Sequence, residues 1–103
     1  MTRRQTYIGI HRDEYGGMTD IGRIIRDAWV FGILPEDETC EGWSLDRIQQ
    51  LYDRVDEAWT PYGHLVSNLP QELRGRHQRI HSEAVARARH AGWNPELDGE
   101  EDS

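Results

Sequence analysis

Residues 19–35 read TDIGRIIRDAWVFGILP and form the most apolar run of the 103-residue chain. Thr19 or Asp20 supplies an N-cap, and Pro35 disfavours helical geometry at the residue before it, so the run predicts a helix over residues 20–34. On a helical wheel its first three turns are amphipathic, whereas its last turn is apolar on every side. The polar side carries Arg23, Arg26 and Asp27. The last turn therefore needs a second surface to cover it, from this chain or from another.

The sequence downstream of this run predicts two further main helices. Residues 45–59 carry apolar side chains at helical spacing on one face, and Ser44 precedes them as an N-cap. Residues 70–91 start at a Leu-Pro step and stop before Gly92, a favoured residue at helix C-termini. Residues 61–68, between these two, predict a short fourth helix. The expected fold is therefore all-α, a small bundle of three to four helices.

The two ends of the chain differ from this helical middle. Residues 1–18 are predicted to be an irregular arm, because a Gly-Gly pair interrupts regular structure before the first helix. A short extended piece at residues 7–10 would lie over the helices, pair with a second copy or stay mobile. After a helical domain at residues 19–93, residues 94–103 predict a disordered acidic tail.

The composition limits the chain to a single small domain. Hydrophobic residues make up 36% and charged residues 30% of it, which is lean for a globular protein yet outside the disordered regime. The sequence contains one cysteine, Cys40, which excludes a disulfide within it and favours a reducing compartment. No apolar run is long enough to span a bilayer. We therefore expect a soluble, cytoplasmic protein that does not enter a membrane.

The formal net charge of −7 is unevenly distributed along the chain. Residues 36–57 hold eight acids against two arginines, and residues 70–93 hold five arginines against two glutamates. The overall acidity argues against nucleic-acid binding, since phosphate contacts need positive surface. The basic last helix would bind an acidic partner or RNA, or it would complement the acidic second helix within the chain. Its arginines fall on two sides of the wheel, which favours the intramolecular interpretation.

Two histidines on the last helix are the best candidates for metal ligands. His77 and His81 are four residues apart, so both imidazoles share one helix face, as a metal site needs. The sequence fixes no third ligand, and Gln78 stands where a zinc-protease motif has its glutamate. The alternative is that both are interfacial histidines that donate to a carboxylate or a carbonyl. No cofactor is predicted, and a metal ion is the weaker of these two interpretations.

Signals for catalysis are weak, and no catalytic residue is predicted. Cys40 is surrounded by acidic residues, which raise the pKa of a thiol and disfavour a thiolate nucleophile. All twelve basic residues are arginine, so no lysine amine is present for Schiff-base chemistry. The sequence also has no Gly-rich phosphate loop. These features favour a non-enzymatic role.

The apolar excess predicts a surface for a protein partner. The candidate residues are Trp29, Val30, Ile33, Leu34 and Trp43. Excess apolar surface on a small helical domain commonly marks self-association or a partner groove. The alternative is that residues 36–43 and 61–69 cover it within the monomer. The predicted function is thus an accessory or adaptor protein acting through protein–protein contacts, as a homodimer; the alternative function is metal binding by His77 and His81.

Overall fold

The computed structural model describes residues 6–92, and the regular structure in that range is helical apart from one isolated bridge between Thr6 and Ser44. The α-helices are α1 (Asp20–Val30), α2 (Leu45–Trp59) and α3 (Gln71–His90), with single 3-10 turns at Glu14–Gly17, Thr60–Tyr62 and Val66–Asn68. The predicted all-α fold is confirmed. None of the helices in this range is long and apolar enough to cross a membrane. The predicted acidic tail at 94–103 lies outside the described residues, as do Trp93 and residues 1–5.

Helix α1 ends one turn earlier than its apolar pattern predicts. The helix stops at Val30, so the prediction that it spans residues 20–34 is wrong at its C-terminus. Gly32 adopts a left-handed conformation, with φ of 74°. The amide of Ile33 then donates to the carbonyl of Ala28 at 2.9 Å, as in a Schellman motif. The left-handed conformation of Gly32 therefore ends the helix, although apolar residues follow it.

Helices α2 and α3 match their predicted spans closely. Ser44 caps α2, since its Oγ accepts a hydrogen bond from the amide of Arg47 at 3.2 Å. Helix α3 follows Pro70 directly, and the chain leaves it at Gly92 with φ of 101°. Each helix buries one narrow apolar face: Ile48, Leu51 and Val55 from α2, and Ile80, Ala84 and Ala88 from α3.

The chain between α2 and α3 is not the single short helix predicted over residues 61–68. It makes two separate 3-10 turns, Thr60–Tyr62 and Val66–Asn68. Between them Gly63 and His64 both have positive φ, 62° and 61°, and a right-handed helix excludes that conformation. The prediction of a fourth helix here is therefore wrong.

The N-terminal segment from residue 6 to residue 17 lies over the helices. The amide of Tyr7 donates to the carbonyl of Trp43, and the amide of Gly42 donates to the carbonyl of Tyr7, each at 2.8 Å. Tyr7 and Ile10 are buried in the hydrophobic core. Of the three alternatives for this segment, packing over the chain's own helices is the one observed. The segment is irregular, as predicted, but part of it belongs to the core.

Asp13 fastens this segment to the start of α1. Its Oδ2 accepts hydrogen bonds from the hydroxyl of Tyr7 at 2.6 Å and from the hydroxyl of Thr19 at 2.5 Å. Thr19 is also the N-cap of α1, because its Oγ1 accepts from the amide of Gly22 at 3.1 Å. One carboxylate thus links a buried tyrosine to the cap of the central helix.

Helix α1 is the centre of the fold, and α2 and α3 both pack on it. These two outer helices make no extensive contact with each other. The C-terminal half of α3 packs on the turn Glu14–Gly17, where Gly16 approaches Ala88 so closely that a Cβ would lie 2.6 Å from the Cα of Ala88. Because α2 and α3 are separated, an open cleft remains above α1.

Candidate functional site

The cleft between α2 and α3 has a volume of about 380 Å³. That volume lies near the lower limit of the range of ligand pockets, roughly 300–1,000 Å³. All three helices contribute apolar lining: Ile24, Val30, Tyr52, Val55, Trp59 and Ile80. Charged and titratable side chains are interspersed with these, so the cleft is neither a purely apolar groove nor a purely polar one.

Asp27 is a buried carboxylate in the α1 floor of the cleft. Its Oδ2 accepts a hydrogen bond from the indole Nε1 of Trp59 at 3.1 Å, and it makes no ion pair with any residue of the described range. Burial raises the pKa of Asp27, while the Trp59 hydrogen bond and the charges of His77 and Arg23 lower it in part. The carboxylate is therefore held in a fixed position in a poorly solvated place.

Arg26, next to Asp27 in sequence, is buried as well and has a structural contact. Its Nη1 donates to the carbonyl of Gly17 at 2.7 Å, joining α1 to the turn Glu14–Gly17. Burial lowers the pKa of Arg26, and the charge of Asp27 raises it in part. The wheel placed both residues on a solvent-facing side; the N-terminal turn and Trp59 cover that side instead.

At the mouth of the cleft, His64 pairs with Asp56. The Nε2 of His64 and the Oδ1 of Asp56 are 3.0 Å apart, and both side chains are exposed. The ring of His64 also stacks on Trp59, with centroids 6.5 Å apart and planes at 20°. The left-handed turn that replaced the predicted fourth helix is what brings His64 to this position.

The structure brings His77 and His81 together on the α3 wall of the cleft. Their rings stack with centroids 6.1 Å apart, and the ring of His77 meets Trp59 edge-on at 6.4 Å. Burial lowers the pKa of His77, and the charge of Asp27 raises it in part. Within residues 6–92 no group of three or more His, Cys, Asp or Glu residues is arranged to hold a metal ion. Metal binding by the two histidines stays a prediction.

Two residues of the predicted partner surface are buried inside the chain. Trp29 and Val30 are only 7% and 1% exposed and belong to the hydrophobic core. The indole Nε1 of Trp29 donates to the carbonyl of Glu38 at 3.0 Å, so the loop after α1 covers it. A partner that bound these two residues would have to displace the chain's own packing.

The other three residues of that predicted surface are partly covered. Ile33, Leu34 and Trp43 pack against the core without being fully buried. The guanidinium of Arg47 lies over the ring of Trp43, 3.7 Å from its centroid, in a cation–π contact. The loop after α1 and Arg47 therefore cover part of this predicted surface within the chain.

Some of the exposed apolar side chains lie beside the cleft, whereas Ile8 and Tyr15 are exposed in the N-terminal segment. Tyr52 on α2 is 47% exposed and lines it, and Val66 and Leu65 are exposed in the segment between α2 and α3. The apolar spacing of α2 includes Tyr52 on its apolar face. That spacing did not indicate that Tyr52 stays exposed because α3 does not cover it. On α3 no apolar residue lies between Leu73 and Ile80, and His77 in that gap lines the cleft.

Two arginines of α3 bond to the end of α1 and to the loop after it, and not to α2. Arg79 makes two hydrogen bonds to the carboxylate of Glu36, at 2.8 and 3.1 Å, and Arg76 donates to the carbonyl of Val30 at 3.0 Å. Among the residues described, no ion pair joins α2 to α3. The expected complementarity between these two helices is therefore not formed within the chain.

The groups in the cleft are suited to binding by stacking, hydrogen bonding and charge. No Ser, Thr, Cys or Lys is found among the described residues that line it. Cys40 is fully buried elsewhere in the core, and burial followed by the charge of Glu38 raises the pKa of its thiol to about 12. The titratable side chains that line the cleft are therefore aspartates, histidines, arginines and one tyrosine.

Comparison with known proteins gives no relative from which a function would follow. No protein-family profile matches the sequence, and neither a curated protein nor a solved structure shows significant similarity to it. We therefore infer function from the chemistry of the cleft and of the two helices beside it.

Proposed function

We propose that this chain is a non-enzymatic accessory protein that binds a protein partner in the cleft between α2 and α3. The observation that carries the proposal is that both helices pack on α1 without extensive contact with each other and leave an open cleft between them. Protein interfaces combine an apolar centre with a polar rim. The cleft has that composition, with Trp59 and Ile80 in its lining and Asp56 and His64 at its mouth.

The geometry suits a helical partner better than a flat one. In helix-in-groove recognition, an amphipathic helix lays its apolar face between two helices of the receptor. The cleft occupies the place where a fourth helix would complete a bundle around α1. The partner would cover Tyr52 and Val66, which are exposed in the free chain.

The lining favours binding over catalysis, because three of its polar groups are engaged in contacts that hold the fold. Asp27 accepts from Trp59, Arg26 donates to Gly17, and Asp56 pairs with His64. We assign the protein to a reducing compartment such as the cytoplasm, where its buried Cys40 would stay a thiol.

The test compares two exposed tyrosines of which one lines the cleft. Tyr52 is 47% exposed on the cleft wall, and Tyr15 is 58% exposed outside it. Tagged wild type, Tyr52→Arg and Tyr15→Arg are isolated from the cells that produce the protein, and co-purifying proteins are quantified. We expect a stoichiometric partner that Tyr15→Arg retains and Tyr52→Arg loses, with unchanged circular dichroism and melting. Equal retention by both variants, or no stoichiometric partner at all, would contradict the proposal.

A further inference from the structure

Asp27, in the floor of the cleft, has one carboxylate oxygen that accepts no hydrogen bond from a described residue. Its Oδ2 accepts from Trp59, whereas its Oδ1 has no such donor. The residue is 9% exposed, yet no side-chain oxygen or nitrogen in the described range is both fully enclosed and without a partner. Oδ1 therefore keeps access to solvent, and the cleft that Asp27 lines provides it. A nearly buried acceptor is thus open to whatever occupies the cleft.

Apolar side chains from all three helices share the cleft with this acceptor. Ile24 of α1, Val55 of α2 and Ile80 of α3 are buried and line it. The indole of Trp59 adds an aromatic side. An apolar cavity of roughly 150 Å³ holds a benzene ring, and the volume here is about 380 Å³. The cleft therefore has room for a bicyclic aromatic ring.

The formal charges of the lining cancel when its histidines are neutral. Arg23 and Arg26 are balanced by Asp27 and Asp56. Burial raises the pKa of Asp27, and the charges of both arginines lower it in part, so the arginines act on this carboxylate. A cation that reached Asp27 would meet these two arginines, and an anion would meet the carboxylate itself. The charges therefore favour an occupant that is neutral and donates a hydrogen bond.

We infer that the cleft receives the indole ring of a tryptophan on the partner's helix, with the indole N–H donating to Oδ1 of Asp27. The inference rests on the proposed function and names the side chain that the partner inserts. Indole has one donor and no acceptor, so a single free oxygen satisfies it. A tyrosine hydroxyl would bring lone pairs that need a donor of their own. Tryptophan is also among the residues that are enriched at the centres of protein interfaces.

The cleft selects for this donor because an occupant removes Oδ1 of Asp27 from water. An acceptor that is buried without a donor loses the hydrogen bonds that water supplied in the free chain. A ring that carries an N–H replaces those bonds, whereas a ring without one leaves the oxygen unpaired. A site built around a buried polar group therefore discriminates between two rings of similar shape more strongly than an apolar pocket does.

The experiment titrates the purified chain with blocked amino acids and follows its N–H signals in proton–nitrogen NMR spectra. The probes are N-acetyltryptophanamide, its analogue methylated on the indole nitrogen, N-acetylphenylalaninamide and N-acetylargininamide. We expect the tryptophan probe to shift the backbone signals of Tyr52 and Val55 and the indole signal of Trp59. The methylated and phenylalanine probes should bind about tenfold more weakly or less, because neither has a side-chain N–H. The arginine probe should also bind more weakly, because it is a cation.

Asp27→Asn tests the same hydrogen bond from the side of the protein. The asparagine keeps an oxygen for Trp59 and places an NH₂ group where Oδ1 was, so the indole N–H of the probe loses its acceptor. We expect the tryptophan probe and its methylated analogue to bind this variant about equally. Asp53→Asn is the matched control, because Asp53 is exposed on α2 and does not line the cleft. Circular dichroism checks folding, and the comparison of the two probes on wild type decides even if Asp27→Asn unfolds.

Four outcomes with the wild-type chain would overturn the inference. They are the absence of binding, equal binding of the tryptophan probe and its methylated analogue, tighter binding of the arginine probe, and shifts confined to residues outside the cleft. Binding of free indole with exclusion of the blocked tryptophan would overturn it too, because the cleft would then serve a free small molecule.

Failure of the inference and failure of the proposed function are distinguishable. The probes are tested on the purified chain, so a negative result with them leaves the proposed function standing if Tyr52→Arg loses a stoichiometric partner that Tyr15→Arg keeps. If the tryptophan probe binds but no stoichiometric partner is recovered, the proposed function is wrong, and the assignment of the ring to a partner's side chain is wrong with it.

Discussion

The indole Nε1 of Trp59 donates a hydrogen bond to Asp27 Oδ2 at 3.1 Å, joining the last residue of α2 to the middle of α1. The same indole contacts three other rings, those of Phe31, His64 and His77. Trp59 thus connects the floor of the cleft to its mouth and to its α3 wall. Changes at Asp27 should therefore alter the stability of the whole arrangement.

We expect Asp27→Ala to lower the free energy of unfolding by about 1–3 kcal/mol, because the indole N–H of Trp59 loses its acceptor in a partly buried place. Asp27→Asn keeps an oxygen acceptor of the same shape and should be destabilised much less. Urea denaturation at neutral pH, followed by tryptophan fluorescence and circular dichroism, measures both. Equal losses in the two variants would show that the hydrogen bond is not the main interaction.

A comparison of Asp27→Asn with wild type tests the raised pKa of Asp27. Burial raises the pKa of this carboxyl, so the native state binds its proton more tightly than the unfolded state does. Ionisation therefore destabilises the fold, and stability falls as the pH rises from the ordinary pKa of an aspartate through the raised one. Asp27→Asn lacks this dependence, so its stability relative to wild type should increase over that range. If the difference in unfolding free energy between Asp27→Asn and wild type were the same at about pH 4 and about pH 7, this prediction would be contradicted.

Two glycines with open space around them should respond to alanine in opposite directions. A Cβ at Gly32 or at Gly75 would meet no atom within 4 Å. Gly32 has a positive φ, so Gly32→Ala should cost about 1–2 kcal/mol in unfolding free energy. Gly75 lies inside α3, so Gly75→Ala should stabilise the protein by about 0.5–1 kcal/mol. Chemical denaturation measures the change in unfolding free energy of each variant. Changes of the same sign in both variants would contradict the assignment of Gly32 as the end of α1.

Tyr7 and Thr19 should be energetically coupled, because both hydroxyls donate to Oδ2 of Asp13. Tyr7→Phe removes a hydrogen bond to a carboxylate, worth about 1.5–3 kcal/mol, and Thr19→Val removes both its bond to Asp13 and the cap of α1. The double variant should differ from the sum of the single ones by about 0.5 kcal/mol or more. Additive effects in the double-mutant cycle would mean that Asp13 does not connect the two residues.

The spans of α2 and α3 were predictable because their signals are local. Ser44 caps α2, and the residues that α2 and α3 bury belong to the apolar faces predicted for them, although Leu45 and Tyr52 on the α2 face stay exposed. The end of α1 was not predictable from apolar pattern, since Gly32 reverses the chain before the apolar residues end. The cleft depends on how two helices, distant in sequence, pack on a third. His77 and His81 were found by spacing, but Asp27 and His64 reach the same cleft through tertiary packing alone.

Cys40 should be unreactive in the native protein and reactive once it unfolds. The side chain is fully buried, and burial together with the neighbouring carboxylate of Glu38 raises the pKa of its thiol to about 12. The thiolate is the form that attacks a thiol reagent, and with a raised pKa it is scarce at about pH 8, while burial also excludes the reagent. We expect labelling by a chromogenic disulfide to be at least about a hundredfold slower in buffer than in denaturant, and to accelerate with destabilising variants such as Gly32→Ala. Rapid labelling of the folded wild type would show that the core around Cys40 opens without global unfolding.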